Sequence, residues 1–129
     1  MRVLYVEDDP ASVQLVATVL RRRGGRVLVS ASTGQAGLRL AAGVRPDLVL
    51  LDLDLPDMTG ETVLRRLQGA SPGCVPPVVV VSADARPETA ARLLAAGATH
   101  FLTKPLDLAE LERRLDAAAS VAADEQKVS

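Results

Sequence analysis

The sequence predicts a doubly wound α/β domain, in which a five-stranded parallel sheet carries five helices distributed over both faces. Short apolar runs alternate five times with longer segments in which apolar residues recur at helical spacing. The third and fourth runs are almost continuously apolar, which is typical of strands that helices cover on both sides. Consecutive parallel strands require right-handed crossovers, and these distribute the helices over both faces of the sheet.

The first half of the chain contains three predicted strands and two predicted helices. Residues 3–6 form the first strand, and Asp9-Pro10 supplies an N-cap and a proline for the first turn of a helix. Residues 26–30 form the second strand, and Thr33 is the candidate N-cap of the second helix. Residues 47–51 form the third strand.

The second half continues the same alternation. A third helix follows Gly60, and Pro76-Pro77 precede a fourth strand at 78–81. Pro87 opens a fourth helix, residues 100–103 form the fifth strand, and Asp107 caps a last helix. We expect one domain over residues 1–121, followed by a flexible C-terminal tail at 122–129.

Composition excludes several classes of protein. The formal net charge of −1 and the presence of only two aromatic residues, Tyr5 and Phe101, argue against direct nucleic-acid binding. No apolar run approaches the ~20 residues that span a membrane, and no export signal is recognisable. The single cysteine, Cys74, has no partner for an internal disulfide. We therefore expect a cytoplasmic protein without membrane association.

Charged and polar residues follow four of the predicted strands. Glu7 and Asp8 follow the first strand, Asp52 the third, Ser82 the fourth and Lys104 the fifth. In open α/β sheets the ligand crevice lies beyond the carboxyl ends of the strands. If these four strands are neighbours, their terminal side chains share one pocket.

This set of side chains favours the chemistry of a phosphoryl group. Clustered acids remain ionised together only beside a cation, and an all-oxygen ligand set suits Mg²⁺, with Mn²⁺ also possible. Lys104 is one of only two lysines beside thirteen arginines, and its compact ammonium fits beside a phosphoryl group. Asp52 is then a candidate covalent phosphoryl acceptor.

The motifs together resemble a known family. The receiver domain of two-component response regulators is similar over roughly residues 2–120 in carrying Glu7-Asp8, Asp52-Leu53-Asp54-Leu55-Pro56 with Gly60, Ser82-Ala83 and Lys104-Pro105. The resemblance implies a flavodoxin-like strand order of 2-1-3-4-5. It also implies a cis peptide bond before Pro105.

The resemblance also assigns roles to individual residues. It implies that Asp52 is the phosphoacceptor, assisted by Ser82 and Lys104. It implies a metal site formed by Asp8, by Glu7 through water, by Asp52 and by the backbone carbonyl of Asp54. Ser82 and Phe101 would be the switch residues.

Two further acids extend this set. Asp54 and Asp84 lie two positions after Asp52 and two after Ser82, where residues of the family tune phosphoryl lifetime. We hypothesise that these two carboxylates order or repel the water molecule that hydrolyses the phosphoryl group.

A function follows from the resemblance. The domain would accept a phosphoryl group from a histidine kinase or a histidine phosphotransfer protein and would catalyse only its own phosphorylation and dephosphorylation. A downstream protein would bind the face formed by the fourth helix, fifth strand and fifth helix. Stand-alone receivers and receivers within a longer protein, such as a hybrid kinase, share these motifs.

Two other functions are open at this stage. Asp52-Leu53-Asp54 after an apolar strand also occurs in phosphohydrolases of the haloacid-dehalogenase type, although Pro56 and the chain length argue against them. A phosphate-independent interaction module is the third candidate. As alternatives for single residues, Glu7 and Asp8 could be helix-capping acids and His100 a partly buried edge-strand residue.

Overall fold

A computed structural model describes the backbone of residues 1–22, 24–70 and 75–128, and the side chains of these ranges as far as residue 120. Strands and helices alternate along the whole chain. The strands are β1 (Arg2–Val6), β2 (Val27–Ala31), β3 (Leu48–Asp52), β4 (Val78–Ser82) and β5 (His100–Thr103). The helices are α1 (Pro10–Arg21), α2 (Gly34–Val44), α3 (Gly60–Ala70), α4 (Pro87–Ala95) and α5 (Leu108–Val128).

The five strands form one parallel sheet in the order β2-β1-β3-β4-β5, which confirms the predicted fold class. Val6 of β1 lies beside Leu51 of β3, so the residues that follow these two strands leave the sheet next to each other. Asp52 lies beside Val81, one residue before the end of β4. The carboxyl ends of β1, β3 and β4 are therefore level.

Alternate residues of each strand enter two separate hydrophobic cores. Val3 and Tyr5 of β1 pack in one core with the buried sides of α1 and α5. Leu4 and Val6 pack in the other core, beneath α2, α3 and α4. This alternation fixes which side of the sheet a residue at the end of each strand faces.

The predicted helix caps are confirmed for α1 and α2. The Asp9 carboxylate accepts a hydrogen bond from the Ala11 N–H at 3.2 Å, and the Thr33 hydroxyl accepts one from the Ala36 N–H at 3.0 Å. The Asp107 carboxylate accepts likewise from the backbone at the start of α5. Local sequence therefore determines where these helices begin.

The structure leaves open the prediction made for the C-terminal end. The backbone of α5 is helical as far as Val128, but helical geometry does not measure motion, so the flexible tail at 122–129 stays a prediction. Ser129 and Cys74 lie outside the described residues. Among the described residues, none of the helices combines the length and apolar character that crossing a membrane requires.

Candidate functional site

Three carboxylates meet at the carboxyl end of the sheet. Glu7, Asp8 and Asp52 each offer one oxygen, and these oxygens lie within 4.8 Å of one another. Glu7 and Asp52 are buried, whereas Asp8 is exposed at the rim. The cause is the register of β1 against β3, which places the acids that end these strands side by side. Such an all-oxygen set, open to solvent on one side, fits a hard divalent cation.

Lys104 reaches the acids from the end of β5. Its Nζ donates a hydrogen bond to Oε1 of Glu7 at 2.6 Å and lies 3.6 Å from Oδ2 of Asp52. Burial disfavours the ammonium, but the hydrogen bond to Glu7 and the charge of Asp52 outweigh it and raise the pKa of Lys104. Lys104 is therefore held as a cation. Its peptide bond to Pro105 is cis, as the resemblance implies.

The surroundings of Asp52 disfavour the ionised form of its carboxyl group. Burial raises its pKa from 3.8 to about 6, and the hydrogen-bonding and charge of the neighbouring Glu7 act in the same direction. The backbone N–H of Asp54, at 3.3 Å from Oδ1, and the charge of Lys104 lower the pKa by less. Charge repulsion and lost hydration at Asp52 are conditions that a bound cation would relieve.

Gly60 allows the loop after β3 to return to the site. A side chain at this position would place its Cβ 2.4 Å from the carbonyl oxygen of Asp52 and 2.8 Å from Cα of Leu53. The Gly60 N–H instead donates to the Leu53 carbonyl at 2.8 Å. The absence of a side chain thus lets α3 begin against the end of β3.

Ser82 is the last residue of β4. Val78 and Val80 of β4 belong to the core beneath α4, so the alternation of the strand turns Ser82 the same way. Its buried Oγ accepts a hydrogen bond from the backbone N–H of Asp84 at 3.0 Å. Phe101 of β5 is half-buried against the same core. Ser82 and Phe101 thus share one layer of the fold.

The structure gives Asp84 a set of partners that the sequence did not reveal. The Arg86 guanidinium donates to both carboxylate oxygens, at 2.9 and 2.7 Å, and the buried Thr89 hydroxyl donates at 2.8 Å. The Arg86 guanidinium holds the pKa of Asp84 well below its usual range. This carboxylate is therefore occupied in bracing the β4–α4 loop, whereas Asp54 is exposed at the site.

A cavity of about 330 Å³ opens beside these residues, between the β3–α3 loop and the start of α4. Its polar lining joins the end of β4 to the α3–α4 surface, where Arg92 pairs with Glu61 at 2.7 Å. The lining residues are Leu53, Asp54, Thr59, Glu61, Ser82, Asp84, Thr89 and Arg92. Solvent therefore has access to the side of the site that carries Asp54.

Comparison with known proteins agrees with this geometry. The model of the response regulator receiver domain family matches residues 3–116. The transcriptional regulatory protein KdpE of Mycobacterium tuberculosis is 41% identical over 116 residues, which are 90% of this chain and 50% of KdpE. The chain spans about half the length of the curated relatives it matches.

Solved structures give the same result. The receiver domain of the Francisella response regulator 1452 superimposes with a TM-score of 0.86 at 26% identity, covering 94% of this chain and 98% of that one. The BeF3-activated receiver domain of Klebsiella pneumoniae RstA gives 0.82 at 30% identity, covering 92% and 97%. These matches do not favour the haloacid-dehalogenase alternative. The chain belongs to the response regulator receiver domain family of two-component systems.

Proposed function

We propose that this domain accepts a phosphoryl group on Asp52 from a phosphohistidine of a histidine kinase or histidine phosphotransfer protein, in a reaction that depends on Mg²⁺ or Mn²⁺. The observation that carries the proposal is the meeting of the Glu7, Asp8 and Asp52 carboxylates with the Lys104 ammonium in one pocket. A nucleophile, a cation site and a positive charge are the parts that phosphoryl transfer to a carboxylate needs.

Each residue of the pocket has a proposed role. Asp8 and Asp52 would bind the metal directly, Glu7 would bind it through water, and the carbonyl of Asp54 would complete the protein ligands. Bound Mg²⁺ supplies positive charge to the oxygens of the transferring phosphoryl group. An Asp52 oxygen attacks phosphorus as the bond to the donor imidazole breaks, and Lys104 attracts the phosphoryl oxygens.

The output of the domain is proposed to be a population shift. Once Asp52 carries a phosphoryl group, the Ser82 hydroxyl turns toward it and gives up the hydrogen bond from the Asp84 N–H. The layer that Ser82 shares with Phe101 then repacks. The face formed by α4, β5 and α5 changes shape for a downstream protein. The proposal includes neither direct nucleic-acid contact nor catalysis of any reaction beyond the domain's own phosphorylation and dephosphorylation.

Phosphotransfer profiling tests the acceptor and the donor together. Autophosphorylated kinases and phosphotransfer domains are offered to the wild type, to Asp52→Ala and to Asp54→Asn as a matched exposed control. We expect labelling of the wild type and of Asp54→Asn only, with mass spectrometry locating the phosphate on Asp52. A phosphate on another side chain would contradict the proposal.

Two further outcomes would support the alternatives. Turnover of free phosphomonoesters that requires Asp54 as the acid would indicate a hydrolase. Failure of beryllofluoride with Mg²⁺ to bind the wild type would indicate a phosphate-independent module.

A further inference from the structure

Tyr5 is a polar side chain in an apolar core. It is fully buried on β1 and packs with Leu50, Val16 and Leu111 in the core beneath α1 and α5. Among the described residues, its hydroxyl has no hydrogen-bond partner. A buried hydroxyl without a partner is costly, so its presence on β1 requires a reason.

A second orphaned atom lies on the same face. Glu7 is two residues after Tyr5, so both side chains leave β1 on the side of α1 and α5. Oε1 of Glu7 accepts from Lys104, whereas the buried Oε2 accepts from no hydrogen-bond donor among the described residues. The phenol can donate and the carboxylate oxygen can accept, so one water molecule between them would satisfy both.

The electrostatics of Tyr5 agree with this proximity. Burial raises the pKa of the phenol far above its usual value, and the charges of Glu7, Asp52 and Asp9 raise it further, in that order. A tyrosine phenol carries its proton at neutral pH and can donate a hydrogen bond.

We propose that one buried water molecule bridges the two atoms, accepting a hydrogen bond from the Tyr5 hydroxyl and donating one to Oε2 of Glu7, and that this bridge makes Tyr5 a positioning residue for the acidic site. Glu7 is then held by the Lys104 ammonium on Oε1 and by the phenol, through the bridging water, on Oε2. A carboxylate oxygen has two lone pairs, so the bond leaves Oε2 able to accept from a metal-bound water. This effect on metal binding rests on the proposed function; the hydrogen bond itself does not.

A double-mutant cycle tests the bond without metal. Urea unfolding in EDTA is measured for the wild type, Tyr5→Phe, Glu7→Met and the double variant. We expect Tyr5→Phe to raise the unfolding equilibrium constant roughly tenfold in the wild-type background and less than twofold in the Glu7→Met background. Equal effects in the two backgrounds, or a stabilising effect of Tyr5→Phe, would overturn the proposal.

The other nearby acids provide the controls. In Asp9→Asn and in Asp52→Asn backgrounds, Tyr5→Phe should keep its roughly tenfold effect. Loss of the effect with Asp52→Asn but not with Glu7→Met would identify the wrong acceptor and refute the assignment. If Glu7→Met does not fold, Glu7→Gln replaces it, and the Tyr5→Phe effect should then be clearly smaller than in the wild type.

Tyr5 also provides its own spectroscopic signal. It is the only tyrosine, and the chain has no tryptophan, so tyrosine emission reports this one phenol. A phenol that donates a hydrogen bond into a chain ending on a carboxylate emits less strongly and absorbs at longer wavelength than a phenol without a partner. We expect Glu7→Met to reverse both effects in the folded protein and Asp9→Asn to leave them unchanged. Identical spectra for the wild type and Glu7→Met would refute the bond.

Metal titration separates this proposal from the proposed function. Calorimetry with Mg²⁺ should show about tenfold weaker binding for Tyr5→Phe than for the wild type. Equal affinities would refute the positioning role. A wild type that does not bind Mg²⁺ would instead refute the metal site of the proposed function, and the cycle in EDTA would still decide the hydrogen bond.

Discussion

Replacing Asp52 with asparagine should stabilise the metal-free domain at neutral pH. Asp52 is 4% exposed, and burial followed by the proximity of Glu7 raises its pKa from 3.8 to about 6. At about 1.4 kcal/mol for each tenfold change in proton affinity, this rise corresponds to roughly 3 kcal/mol. Since asparagine has nearly the same shape and no charge, we expect the free energy of unfolding to increase by about 2–3 kcal/mol.

The gain should depend on pH in a defined direction. Between about pH 3.8 and about pH 6 the folded protein retains a proton on Asp52 that the unfolded chain releases. The contribution of Asp52 to stability is therefore fully present below the unfolded pKa and is lost as pH rises through the folded pKa. Relative to the wild type, the variant gains little at about pH 4 and its full amount above about pH 7.

Urea unfolding in EDTA, repeated across this pH range, measures the gain. Asp54→Asn is the matched control, because it changes an exposed carboxylate two residues away and should give no comparable increase. Adding Mg²⁺ should reduce the advantage of Asp52→Asn, since the cation stabilises the wild-type site preferentially. A variant no more stable than the wild type at pH 7, or an advantage that is the same at pH 4, would refute the reasoning.

Three other substitutions test separate parts of the site. Gly60→Ala should lower the free energy of unfolding, measured in urea, by about 3 kcal/mol or more, because the new Cβ would lie 2.4 Å from the backbone oxygen of Asp52. Gly69→Ala in the same helix is the control: its Cβ meets nothing within 4 Å, so it should raise the free energy of unfolding by about 0.5–1 kcal/mol. Lys104→Met should destabilise the metal-free protein by about 2–3 kcal/mol in the same assay, because it leaves the buried Glu7 carboxylate without its ammonium partner. The 26% exposure of the Lys104 side chain keeps the loss from being larger. An unchanged urea midpoint would contradict the pairing. Ser82→Ala should still bind beryllofluoride with Mg²⁺ but lose most of the resulting NMR shift changes on α4, β5 and α5; retention of those changes would contradict the switch role.

The fold was predictable because its signals are local. Residues 78–81 are all valine and follow two prolines, and Asp9 and Thr33 stand at the positions where α1 and α2 begin. The strand order came from the resemblance rather than from these signals, since spacing alone does not determine which strands are neighbours. Once the order is known, the register of β1 and β3 brings Glu7 to Asp52.

The pairing of polar side chains across loops was not predictable. Nothing in the sequence around Asp57 indicates a partner. In the structure its carboxylate accepts hydrogen bonds from the N–H groups of Gly34 and Gln35 at 2.8 and 3.0 Å, and so joins the β3–α3 loop to the start of α2. The partners of Asp84 are close in sequence, but only the conformation of the β4–α4 loop selects them. Such contacts depend on backbone geometry that residue spacing does not encode.

The acidic pocket concentrates charge that the described part of the fold only partly neutralises. Glu7, Asp8 and Asp52 lie together, the Lys104 ammonium pairs with the first and the last of them, and these two are almost inaccessible to water. The metal-free domain is therefore less stable than its fold allows, which is the usual consequence of assembling a binding site from like charges. The same repulsion favours any ligand that adds positive charge or removes the charge of Asp52. We therefore expect the stability advantage of Asp52→Asn to shrink progressively as the Mg²⁺ concentration rises, because the ion binds the folded wild type more tightly than the variant.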